Sequence, residues 1–84
     1  MSSRLKTVYI HYYALLREQR GCGDETIMTS AATARDLYHE LQGWYEFSLR
    51  PEVLKVVVNS QVREWDTILN EGDTVVFLPP VAGG

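Results

Sequence analysis

The 84-residue sequence predicts an α+β domain: a mixed sheet of about five strands packed on one main helix, with an extended C-terminal tail. Three observations carry that prediction. Strand-like alternation at the N-terminus gives way to a helical period between residues 34 and 41. Hairpin-like pairs of short strand segments flank that helix on both sides. The last regular segment, Thr74-Val75-Val76-Phe77-Leu78, is apolar almost throughout, as a central strand should be.

Residues 8–13, Val-Tyr-Ile-His-Tyr-Tyr, are β-branched and aromatic and read as the first strand. Val8, Ile10 and Tyr12 share one face of it, and Tyr9, His11 and Tyr13 the other. Ala14 to Gln19 is helix-prone and stops at Gly21, giving a short helix or turn that leads to a second strand, Glu25 to Thr29, paired as a hairpin with the first. Ala34, Leu37, Tyr38 and Leu41 then fall at i, i+3, i+4 and i+7, the stripe of an amphipathic helix. Thr33 is its N-cap, Asp36 stands three residues on, and Gly43 is its expected stop. Trp44 to Pro51 reads as irregular, its aromatics covering one end of the core. Leu54 to Val58 is a strand, Asn59-Ser60 a turn, and Gln61 to Arg63 a short antiparallel return. Glu71-Gly72-Asp73 is a tight turn into the final strand. This order is compatible with first and last strands lying side by side, parallel, in the middle of the sheet, a β-grasp arrangement.

Residues 1–78 form the domain and residues 79–84, Pro79-Pro80-Val81-Ala82-Gly83-Gly84, a protruding tail. Proline lacks an N–H and fixes φ, so Pro79 and Pro80 end the sheet ladder and hold the chain extended. Glycine has no Cβ, so Gly83 and Gly84 can enter a channel that excludes other residues. Six extended residues reach roughly 20 Å. The alternative is a frayed terminus; frayed ends are usually polar and irregular, and this one is apolar, proline-anchored and diglycine-tipped.

A net charge of −3, with scattered basic residues, gives no nucleic-acid footprint. No apolar run approaches a membrane span, and no signal core follows the N-terminus, so a cytoplasmic protein is expected. Cys22, the only cysteine, fits that setting and reads as an incidental loop residue. There is no CxxC, HExxH, phosphate-cradling glycine loop or nucleophile elbow. His11 and His39 are the only imidazoles; they read as sheet-face and surface residues, with no metal or catalytic role. The group placed for chemistry is the carboxylate of Gly84. A carboxylate is a poor electrophile and needs activation, most simply as a mixed anhydride with AMP. The chain has no ATP site of its own, so another protein must activate it. Once adenylated, the carboxylate can accept sulfur to become a thiocarboxylate, or a lysine amine to form an isopeptide.

The tail Val76-Phe77-Leu78-Pro79-Pro80-Val81-Ala82-Gly83-Gly84 resembles the ending of the small subunits of molybdopterin synthase, a family of ubiquitin-like sulfur carriers. Tyr12-Tyr13-Ala14-Leu15-Leu16-Arg17-Glu18, Val58-Asn59-Ser60 and Leu69-Asn70-Glu71-Gly72-Asp73-Thr74-Val75 are similar to it as well. The resemblance implies a ubiquitin-like β-grasp fold and a chain that is not an enzyme on its own. Its terminal glycine would be adenylated by an activating enzyme that uses ATP, then converted to a thiocarboxylate with sulfur from a persulfide-bearing protein. Insertion into the large catalytic subunit would deliver that sulfur to cyclic pyranopterin monophosphate. On this resemblance Gly84 carries the sulfur, Gly83 gives access, and Val81 and Ala82 line the inserted tail. Phe77, Leu78, Pro79 and Pro80 form the docking surface at its base; no cofactor, metal, nucleic acid or membrane is implied. The paired prolines favour this pathway over carriers for thiamine thiazole or another thiolated metabolite; a lysine-linked protein modifier and a plain binding module with an inert tail are the alternatives of different classes. His11, where the family carries an apolar residue, and Trp44 to Pro51 depart from the pattern.

Overall fold

Side-chain alternation sets the two faces of the sheet. The computed structural model describes residues 5–80. In β1 (Lys6–Tyr12), Val8, Ile10 and Tyr12 are buried, whereas Tyr9 on the opposite face is 44% exposed. A short helix α1 (Ala14–Arg20) ends at Gly21, whose φ of 91° is left-handed, a conformation that glycine enters without Cβ strain. Strand β2 (Asp24–Thr29) returns antiparallel to β1, pairing Ile10 with Glu25 and His11 with Asp24.

Helix α2 (Ala34–Tyr45) buries Ala34, Leu37, Tyr38 and Leu41 completely, as its period predicts. The Thr33 Oγ1 accepts from the Asp36 N–H at 3.2 Å. The N–H groups of Ala34 and Arg35 donate to the carbonyls of Thr67 and Trp65, so the first turn has partners for its otherwise unpaired donors. Gly43 does not stop the helix: it runs on to Tyr45, and Glu46 takes the left-handed cap at φ 54°. Tyr45 supplies the reason. Its ring lies 5.6 Å from that of Phe47, its hydroxyl donates to Glu25, and the Arg20 guanidinium sits 4.2 Å above it. These contacts outweigh the roughly 1 kcal/mol helix penalty of a glycine. The expected irregular stretch is therefore shorter than predicted, and Pro51–Val53 form one 3₁₀ turn. Phe47 does cover the core end, against Tyr12 and Tyr38, while Trp44 is more than half exposed.

Strands β3 (Lys55–Val58) and β4 (Gln61–Arg63) form a hairpin through Asn59-Ser60, both at positive φ, the conformation of a two-residue hairpin turn. Asn59 also ties this turn to the last strand: its Nδ2 donates to Asp73 and its Oδ1 accepts from the Thr74 N–H. Gly72, at φ 83°, makes the bend into β5 (Thr74–Leu78). The sheet order is β2-β1-β5-β3-β4, with β5 parallel to β1 and antiparallel to β3. First and last strands are thus central neighbours, and α2 packs on one face of the sheet they anchor. This is the ubiquitin-like β-grasp architecture.

Candidate functional site: the tail base and the open sheet face

Parallel pairing of β1 with β5 brings their C-terminal ends to one edge of the domain, with Tyr12 opposite Phe77. The chain leaves the sheet there. Leu78 pairs with Lys55 at the start of β3 and is partly exposed, Pro79 is half-buried, and Pro80 is exposed. Val81, Ala82, Gly83 and Gly84 lie outside the described residues.

Phe77 does not lie on the docking surface that the resemblance implies: it is fully buried, stacked on Trp65 at 5.6 Å and tilted against Tyr38 at 5.1 Å. Alternation is the physical reason: Val75 and Phe77 point to α2, so Thr74, Val76 and Leu78 take the other face. Phe77 holds the tail base in place from below and presents no surface to a partner.

The face opposite α2 carries no covering layer among the described residues. Register places Val62, Val57, Val76, His11 and Asp24 in one row across all five strands. Val62 is 70% exposed, and Val57 and Val76 are half-buried. Leu78 extends this apolar strip to the tail base, and Tyr9 and Met28 extend it the other way. An exposed apolar strip spanning several strands marks an interaction surface. Sequence reading missed Val57, Val62 and Val76 as site residues, although a signal was present. Strands apolar on both faces, in a chain with one long helix to cover them, leave one apolar face uncovered.

Beneath the same edge, a clasp fixes the end of β1. The Glu25 carboxylate accepts from the Tyr12 hydroxyl at 2.5 Å, from Arg20 Nη2 at 2.8 Å and Nε at 3.2 Å, and from the Tyr45 hydroxyl at 3.2 Å. Burial alone would raise the Glu25 pKa, but the hydrogen bonds from Arg20, Tyr12 and Tyr45 together hold it below its ordinary value. Burial and then Glu25 push the Tyr12 hydroxyl upward, so it stays a donor. Because the folded pKa of Glu25 is depressed, its stabilisation is fully present above the unfolded value of about 4.3 and is lost as pH falls through the folded value. Glu25→Gln is expected to cost about 1.5–3 kcal/mol near neutral pH. Thermal unfolding from pH 7 to 3 checks this: the gap between wild type and variant should narrow below about pH 4.3, and a constant gap would refute it.

Cys22 is half-exposed, its Sγ donating to the Asp24 carbonyl at 3.3 Å. His39 is exposed on α2, away from the core. No group of three or more His, Cys, Asp or Glu that could hold a metal ion occurs among the described residues. Nor, among them, is any helix long and apolar enough to cross a membrane. The described residues thus give an open, partly apolar sheet face that adjoins Leu78, Pro79 and Pro80.

Solved structures with this architecture carry related names. A candidate molybdopterin converting factor subunit 1 from Pyrococcus furiosus is 29% identical, with a TM-score of 0.76 over 90% of this chain and 99% of that one. A structure of the complex of subunits 1 and 2 of molybdopterin-converting factor from Helicobacter pylori matches at 26% identity and a TM-score of 0.58, covering 93% and 99%. Small archaeal modifier protein 1 from Methanosarcina acetivorans shares the fold, with a TM-score of 0.75 at 20% identity over 96% and 99%. No curated protein matches the sequence closely enough to be counted as a relative. The sequence model of the ThiS family matches residues 10–84, from the first strand through the diglycine. With that match on a β-grasp domain whose central strand runs into the tail, the chain belongs to the ThiS family and has the ubiquitin-like sulfur-carrier fold.

Proposed function

We propose that this chain is the sulfur carrier subunit of molybdopterin synthase, non-catalytic alone and acting in the cytoplasm. The observation that carries this reading is the continuity of an apolar open face with a diproline-anchored, diglycine-ended tail. It is supported by the two similar structures named as subunit 1 of molybdopterin converting factor, one of them in complex with its subunit 2.

The chemistry follows from the carboxylate of Gly84. An activating enzyme transfers AMP from ATP to a carboxylate oxygen, releasing pyrophosphate and making the acyl carbon electrophilic. The terminal sulfur of a persulfide on a second protein attacks that carbon and displaces AMP, giving an acyl disulfide. A thiol then attacks the donor protein's sulfur, forming a disulfide with it and releasing the thiocarboxylate. The chain binds no cofactor; ATP is consumed by the activating enzyme. Docking uses Leu78, Pro79 and Pro80 together with Val57, Val62 and Val76. Val81, Ala82 and Gly83 occupy a channel in the large subunit, where the thiocarboxylate sulfur passes to cyclic pyranopterin monophosphate and water restores the carboxylate. Two partners must use the same tail in turn, so moderate affinity through a small apolar face suits the cycle.

The test combines the full chain with ATP, a sulfur source and its activating enzyme, then adds the large subunit and cyclic pyranopterin monophosphate. Intact mass should first show one oxygen exchanged for sulfur, and the dithiolene product should then form as the mass reverts. A thiocarboxylate that forms but is never consumed would overturn the molybdopterin assignment. Conjugates to lysine that survive thiol reductant would replace it with the modifier reading.

A further inference from the structure

The apolar row changes character at its β1–β2 end. There His11 and Asp24 are register partners. Beside them lies a hollow of about 300 Å³, bordered by Tyr9, His11, Asp24, Thr26 and Thr74. Among the described residues, neither the His11 imidazole nor the Asp24 carboxylate has a hydrogen bond or an ion pair; the neighbouring Glu25 carboxylate is taken by Arg20, Tyr12 and Tyr45. The hollow, whose lining also includes Ile10 and Glu25, is therefore bordered by one carboxylate without a partner and by Tyr9 and His11, and His11 is the register neighbour of Val76 in the apolar strip.

We propose that this hollow determines which partner docks, by receiving an arginine or lysine side chain with Asp24 as its counter-ion and the rings of Tyr9 and His11 as its walls. This rests on docking through the open face. A cation suits the space on three counts. The Asp24 carboxylate lacks a partner, the aromatic face of Tyr9 attracts cations, and the hydroxyls of Thr26 and Thr74 offer further acceptors. An apolar partner without that cation would cover Asp24 and His11 while leaving both unpaired, which is how a buried polar group discriminates against the wrong ligand. The partner is thus a protein whose docking surface is apolar at its centre and carries a basic residue at one margin.

The experiment is calorimetric titration of the full-length chain with the large subunit of molybdopterin synthase, at low and at physiological salt. Wild type is compared with Asp24→Asn, Asp24→Lys, Thr26→Arg and, as the docking control, Val76→Asp. Asp24→Asn should weaken binding severalfold and flatten its salt dependence, and Asp24→Lys should weaken it at least tenfold. Thr26→Arg, which fills the hollow with the chain's own cation, should act like Asp24→Lys. Asp24 and Thr26 are exposed edge-strand positions, and circular dichroism verifies that each variant is folded. If Asp24→Lys and Thr26→Arg bind within twofold of wild type while Val76→Asp does not bind, docking through the face stands and the cation site is wrong. If Val76→Asp also binds like wild type, the docking reading itself falls and the cation site with it.

Discussion

Deleting Gly84 should abolish thiocarboxylate formation while leaving the melting temperature unchanged. The truncated chain still ends in a carboxylate, on Gly83, but that group stops about 3.5 Å short of where the intact tail presents it. A misplacement of about 1 Å at a reacting centre can cost on the order of 100-fold, so a whole residue should lower the rate by at least that factor. No loss of stability is expected, because the core of the described residues is assembled between Val8 and Phe77. Intact mass spectrometry after incubation with ATP, a sulfur source and the activating enzyme reads the first half of the prediction; thermal unfolding reads the second. Oxygen-to-sulfur exchange at the wild-type rate in the deleted chain would locate the chemistry elsewhere. A lowered melting temperature would mean that the tail is structural.

Most of the architecture is legible in the sequence because local and global signals agree. The alternation of Val8, Ile10 and Tyr12, the stripe Ala34, Leu37, Tyr38 and Leu41, and the turn residues Asn59 and Gly72 each name an element, and each element is found. Gly43 misleads because a glycine is only a weak local stop. What overrides it is tertiary: the contacts of Tyr45 with Phe47, Arg20 and Glu25 join residues from three separate segments. The Glu25 clasp is hidden for the same reason. Arg20 and Glu25 are near neighbours, but Tyr12 and Tyr45 reach them only after β1 and α2 pack. The tail is written plainly in the chain, whereas the open face depends on register. Val62, Val57, Val76 and His11 come from four strands, and no local pattern aligns them.

Adjacent residues of β5 should separate stability from docking. Phe77→Ala removes a fully buried ring that packs on both Tyr38 and Trp65, a change that costs about 3–5 kcal/mol. Domains of this size shift by roughly 4–8 °C per kcal/mol, so the midpoint should fall by at least about 12 °C, and the fraction that remains folded should still bind partner. Val76→Asp acts on the other face. Half-buried and opposite His11 and Val57, it should cost about 1 kcal/mol of stability through lost strand propensity. It also places an unpaired carboxylate under the partner, whose desolvation should weaken docking by 100-fold or more, equivalent to about 3 kcal/mol. The two measurements are the melting temperature and the dissociation constant for the large subunit, each taken on both variants. A Phe77→Ala protein that keeps its stability but loses binding would return Phe77 to the interface. A Val76→Asp protein that binds normally would remove the open face from it. The predicted crossing, with stability lost in one variant and binding in the other, is expected because a single strand can serve both: its period of two gives one set of residues to the core and the next to the partner.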